Sequence, residues 1–189
     1  MNAIEQLRDE HEGISMMLRI LDKFCERLEN GEDVNLDDGA AMIEFLRGYA
    51  DKCHHEKEEQ LLFPLLEKLG IPRAGGPIEI MLEDHDLGRA HVRGMDEVLE
   101  SMRKGDREAG RSFAEHARNY IRLLTEHIDM ENEAIFDMAD MRLSAAQLEK
   151  LTAEFATVEK VNLGAGKHEA FHTLLDRLKG EYLGRGENA

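Results

Sequence analysis

Apolar residues recur along this chain at steps of three and four and never alternate with a period of two, so every element the pattern predicts is a helix. In the first, Ile4, Leu7, Ile14, Leu18, Leu21, Cys25 and Leu28 form one stripe that ends near Asn30-Gly31, where glycine takes a left-handed cap. The second, capped by Asn35 or Asp37, carries Ile43, Leu46, Ala50, Leu61 and Leu65. Pro64 should bend it, having no donor for the carbonyl of Gln60. The breaker cluster Gly70-Ile71-Pro72-Arg73-Ala74-Gly75-Gly76-Pro77 is the loop to a third helix, with Pro77 at its start. That helix turns Ile78, Met81, Gly88, Val92, Met95, Leu99 and Met102 inward, and Gly105-Asp106 ends it. Asp106 then caps a fourth helix with Phe113, Ala117, Tyr120, Leu124, Ala134 and Met138 inward. Four such stripes over residues 1–141 predict an all-α, up-down four-helix bundle. Beyond Arg142 the character changes. Ser144-Ala145-Ala146-Gln147 has the form of a capping box and opens a helix to about Val158. After Leu163-Gly164-Ala165-Gly166 a last helix presents Phe171, Leu174, Leu178 and Tyr182. Residues 142–189 are therefore expected to be a helical extension packed on the outside of the bundle.

Every stripe of the bundle is interrupted by ionisable groups: His11, then His54 with Glu58, then His85, then His127 with Glu131. The second and fourth helices repeat one order, so that His54/Glu58/Phe63 superposes on His127/Glu131/Phe136. Positions i and i+4 share a helix face, and each pair aims a nitrogen and a carboxylate at one point. Burying four imidazoles and two carboxylates costs several kcal/mol unless they are paired or hold a cation. Hydrogen-bonded His/Glu pairs are the metal-free way to satisfy them. Imidazole with carboxylate suits iron, zinc or manganese, and the thiolates that favour structural zinc are lacking. His55/Glu59 has the same spacing as His54/Glu58, but only His54 continues the Ala50, Leu46, Ile43 stripe and places Phe63 at the offset of Phe136 from His127. That reading leaves His55 with little to do and puts Glu56 and Glu59 at the periphery. His91 and His116 lie off the stripe, and His168/His172 is a further i, i+4 pair with no carboxylate in register.

Composition narrows the functional class. The length of 189 residues suits one domain, or one with an appendage. A net charge of −16 argues against nucleic acid or an anionic membrane as partner. There is no basic N-terminal region followed by an apolar run, and nowhere do about 18 apolar residues follow one another, which reads as a soluble, cytoplasmic protein. Cys25 and Cys53 are too few and too far apart for a disulfide framework or a thiolate zinc site, and read as small hydrophobes. No nucleophile triad, phosphate loop or cofactor fingerprint points to a conventional enzyme.

On Glu10-His11, His54 through Pro64, Glu83-Asp84-His85 and Glu126-His127 through Phe136, residues 1 to 141 resemble the hemerythrin-like, or HHE cation-binding, domains, four-helix bundles that enclose a two-iron centre. The resemblance implies two iron ions, with zinc or manganese less favoured. His11, His54, His85 and His127 would be terminal ligands, and Glu58 and Glu131 would bridge the metals together with an oxo or hydroxo group. Oxygen-carrying hemerythrins have a second histidine where this chain has Arg89, and an aspartate where it has Asn132. Six ligands in place of seven leave more open coordination, which favours redox chemistry, nitric oxide binding or sensing over simple oxygen carriage. Arg89, one turn from His85, either reaches the open position, pairs with Glu83, Glu58 or Glu131, or extends into solvent, as long basic side chains can. Two functions are expected to compete. One is a di-iron protein that engages oxygen, nitric oxide or peroxide as carrier, sensor or scavenger; the other is an interaction protein whose metal site is a stability or iron-availability switch.

Overall fold

The computed structural model describes residues 1–106, 108–164 and 166–184, and among these every regular element is helical. Helix α1 (Ala3–Glu29) opens with a capping box in which Asn2 Oδ1 accepts from the amide of Glu5 and the Glu5 carboxylate accepts from the amide of Asn2. It ends where expected, with Gly31 at φ 73°. Helix α2 (Leu36–Phe45), capped by Asn35, passes into π-helical winding over Leu46–His55 and again over Glu58–Leu62. It returns to α-geometry in α3 (Phe63–Lys68), and Pro64 falls in the first turn of α3, where the winding changes. Helix α4 (Pro77–Arg103) starts with its proline. Helix α5 (Ala109–Met130) begins later than Asp106 suggested: the Asp106 carboxylate accepts the amide N–H of Glu108 at 3.1 Å, inside the preceding turn. A π segment, Glu131–Ile135, joins α5 to α6 (Phe136–Arg142). These elements form four rods.

The apolar interior falls into two clusters with a polar layer between them. One cluster gathers Ile14 to Cys25, Met42 to Cys53, Val92, Met95, Leu99 and the α5 residues Phe113 to Ile128. The other gathers Ile4, Leu7, Leu62, Phe63, Leu66, Ile78, Met81, Ile135 and Phe136. Each rod therefore crosses the layer once, and its ionisable interruption lies there.

The appended helices cover one cluster each. Helix α7 (Ala145–Asn162), opened by the Ser144/Gln147 capping box and running past Val158, buries Leu151 and Phe155 against the cluster of Leu7, Phe63 and Phe136. Helix α8 (Lys167–Tyr182) buries Phe171, Leu178 and Tyr182 in the other. Asp38 of α2 accepts hydrogen bonds from the Tyr182 hydroxyl at 3.0 Å and from Arg177 at 2.8 Å. Phe171 lies over Gly48, where a Cβ would stand 2.6 Å from its ring, so the missing side chain is what lets α8 approach. Ala165, in the linker before α8, and residues 185–189 lie outside the described residues. Among the described residues no helix is long and apolar enough to cross a membrane.

Candidate metal centre

Into the polar layer α1 delivers His11, the second rod His54, His55 and Glu58, α4 His85, and the fourth rod His127 and Glu131, all buried. Ligand atoms of His11, His54, Glu58 and Glu131 lie within 4.8 Å of one another, and so do those of Glu58, His85, His127 and Glu131. The two groups share both carboxylates. Nε2 of His11 and Nε2 of His127 each stand 3.2 Å from the same Glu131 oxygen, while Nε2 of His54 and of His85 stand 3.6 Å from the two oxygens of Glu58. The structure thus brings together all six residues that the sequence singled out. The sequence echo is also a backbone echo. Glu58 opens one π segment and Glu131 another, and Phe63 and Phe136 begin the α-helices that follow. Such widened turns recur where side chains must converge on a site. Phe136 stacks on His11 at 5.1 Å and Phe63 on His85 at 6.1 Å, which closes the layer on one side with aromatic rings.

A second ring of groups fixes the imidazoles from behind. Nδ1 of His11 donates to Asn132 Oδ1 at 3.0 Å, Nδ1 of His54 to Glu10 at 2.9 Å, Nδ1 of His85 to Glu59 at 2.8 Å and Nδ1 of His127 to Asp84 at 3.4 Å. Because a carboxylate only accepts, the proton of His54 and of His85 sits on Nδ1 and the lone pair of Nε2 faces inward.

At His55 the structure departs from the face the sequence reading assigned. It is 3% exposed, its ring stacks on His85 at 3.9 Å, and its ligand atom groups with those of His85 and His127 within 4.8 Å. The doublet closes the π segment Leu46–His55, whose i to i+5 bonding puts more residues in each turn than an α-helix does, and there Cys53, His54 and His55 are all buried. Nδ1 of His55 lies 3.5 Å from Asp51, which repeats the pattern of a carboxylate behind the ring. Arg89 is corrected too. It touches neither Glu58 nor Glu131 but donates to Asp51 at 2.8 Å, Glu59 at 2.6 Å and Asp86 at 3.1 Å. One guanidinium therefore clamps the two carboxylates that stand behind His55 and His85.

The carboxylates at the centre are short of partners. Neither oxygen of Glu58 or of Glu131 accepts a hydrogen bond from a described residue. Burial, reinforced by the charge of Glu131, pushes Glu58 well above the usual carboxylate range. Burial opposes the ionisation of Glu131 as well, but the charge of His127 and the nearby His11 outweigh it and hold Glu131 well below that range. His127 is likewise raised to about 9 against the effect of burial, by Glu131 and Asp84. His54 and His85 are lowered to about 3, by burial and then by the neighbouring rings of His11 and His55. Two buried carboxylates that face only imidazole nitrogens are, with those imidazoles, a donor set that a cation satisfies.

A cleft of about 320 Å³ between the second rod and α4, lined among others by Asp51, His55, Gly88, Arg89 and Tyr120, connects this layer to the surface.

A helical bundle whose polar layer offers only histidine and carboxylate donors is a protein able to hold metal between its rods. The particular family is shown by comparison: residues 2–139 match the family described as hemerythrin HHE cation binding domain, and the chain belongs to it. Similar curated proteins include the iron-sulfur cluster repair protein YtfE of Yersinia pseudotuberculosis serotype IB (strain PB1/+) and that of Yersinia pestis (strain Pestoides F). Each is 30% identical over 88 residues, 46% of this chain and 40% of the relative. The match thus spans well under half of the relatives' length. No solved structure matches.

Proposed function

We propose that the chain is a non-haem di-iron protein that binds or reacts with oxygen, nitric oxide or peroxide. His11 and His54 would hold one ion, His55, His85 and His127 the other, and Glu58 and Glu131 would bridge the pair. The observation that carries this reading is the double shell. Imidazoles are held from behind through Nδ1, and the two carboxylates they surround face only those imidazoles. The relatives' printed role in iron-sulfur cluster repair supports iron as the metal. Bound iron supplies a change of oxidation state and coordination positions for a small molecule. The protein's own part is to hold the imidazoles oriented, to keep water out with Phe63 and Phe136, and to admit a ligand along the cleft beside His55 and Tyr120. Cytoplasmic location and a site without nucleic-acid or membrane partners belong to the same reading.

Reduced, iron-loaded protein mixed with oxygen, nitric oxide and peroxide in a stopped-flow instrument should change its absorption with at least one of them. The Glu58→Ala, Glu131→Ala double variant should show no such change. Wild-type protein that holds iron yet is inert to all three would contradict the small-molecule role and favour a metal-responsive interaction protein.

A further inference from the structure

Lys57 is 0% exposed, an unusual place for an ammonium group, and its neighbours come from three elements. It donates to Glu10 of α1 and, at 2.6 Å, to Glu159 of α7, and its nitrogen lies 5.5 Å from the centre of the Phe155 ring. Glu10 is itself buried and uses its other oxygen to accept Nδ1–H of His54 at 2.9 Å. Gln6 braces both carboxylates, donating to Glu10 at 3.0 Å and to Glu159. A continuous chain of charge-assisted hydrogen bonds thus runs from His54 through Glu10 and Lys57 to Glu159. Its last member stands outside residues 2–139, on the appended helix.

We propose that Glu159 is a positioning residue of the metal centre, acting through Lys57 and Glu10 on the imidazole of His54, so that α7 is a working part of the site. Phe155 and Glu159 are one turn apart and share a face of α7, and that face lies against the second rod. Phe155 enters the apolar cluster, Glu159 meets Lys57, and Asn162 donates to the Lys52 carbonyl at 2.8 Å and to Glu56 at 2.7 Å. Without Glu159, Lys57 has only Glu10 to satisfy it. The Glu10 carboxylate is then drawn onto the ammonium and released from His54, and the His54 proton becomes free to move to Nε2. That nitrogen stands 2.9 Å from His11 Nε2 and 3.6 Å from Glu58, where the lone pair is needed. Coupling of this kind is reciprocal, so a metal held by His54 also tightens the docking of α7. The metal half of the inference rests on the di-iron reading; the tautomer half does not.

Glu159 is 27% exposed, and Glu159→Gln keeps its size and an acceptor oxygen for Lys57, so the test does not depend on Glu159→Ala alone. Histidine ¹⁵N NMR of the metal-free protein should show His54 as the Nδ1–H tautomer in wild type and a mixture in Glu159→Gln and Glu159→Ala, with Glu159→Asp restoring part of the wild-type signal. In iron-loaded protein challenged with a chelator, Glu159→Ala should weaken retention of one of the two irons about tenfold, the low end for a group acting behind a ligand, and leave the other at the wild-type level. An unchanged His54 tautomer in Glu159→Ala overturns the proposal, whatever the iron content. A wild-type protein with the expected tautomer response but no iron pair would sink the di-iron reading and leave the positioning role standing.

Discussion

Replacing Glu10 with alanine should destabilise the metal-free protein by roughly 3–5 kcal/mol, the cost of breaking a buried ion pair by removing one partner. Lys57 would keep only Glu159, and His54 would lose its acceptor, so the effect should exceed that of any exposed carboxylate. The surviving Lys57–Glu159 contact places the expected value toward the lower end of the range. Urea unfolding of wild type and Glu10→Ala measures it, and a loss below about 1 kcal/mol, the level of a surface ion pair, would mean that the buried network contributes little. The same network predicts an acid limb. Burial alone would raise the Glu10 pKa, but the hydrogen bond from His54 and the ammonium of Lys57 lower it to about 2. Asp51 is lowered to about 2 in the same way by His55 and Arg89. Since the folded values lie below the unfolded ones of roughly 4, this stabilisation is full above pH ~4 and is lost as pH falls toward 2. Glu10→Ala should flatten that limb of the curve.

The second large effect is expected at His55. If His55 completes the group formed with His85 and His127, His55→Ala should reduce affinity for one metal ion by more than the 10–100-fold typical of losing an outer-shell partner, and leave the other ion bound. His54→Ala should do the converse, removing the ion held with His11. Chelator competition followed by metal analysis separates the two. Equal metal content and equal release rates for His55→Ala and wild type would restore the reading in which only His54 matters.

That reading came from the sequence, and the reason it needed correcting is physical. Stripes such as Leu7, His11, Ile14 and Met81, His85, Gly88 belong to ordinary α-helices, so a step of three or four finds their inner faces directly. The caps at Asn35 and Ser144, the stop at Gly31 and the turn at Pro77 were legible because each is a local matter of backbone hydrogen bonds. The His-x-x-x-Glu echo was legible as well, since it survives into the π segments at Glu58 and Glu131. The inward turn of His55 was not, because the choice between the two registers gave the inner face to His54 alone, whereas Cys53, His54 and His55 are all buried at the end of the π segment. The doublet itself, with His54/Glu58 and His55/Glu59 at one spacing, was the available signal that both rings could be used. The outer partners were hidden for another reason. Nothing in one dimension marks Lys57 or Glu159, Glu59 reads as peripheral and Arg89 was aimed at other carboxylates, and only tertiary packing puts Arg89 between Asp51 and Glu59 or Glu159 against Lys57.

In the proposed function Glu58 and Glu131 bridge two iron ions held by five histidines. Metal and protein should be quantified on one freshly isolated sample, with an absorption spectrum before and after reduction. Two irons per chain and a visible absorption band that reduction removes are expected. A single zinc ion per chain with no visible absorption would rule the iron pair out.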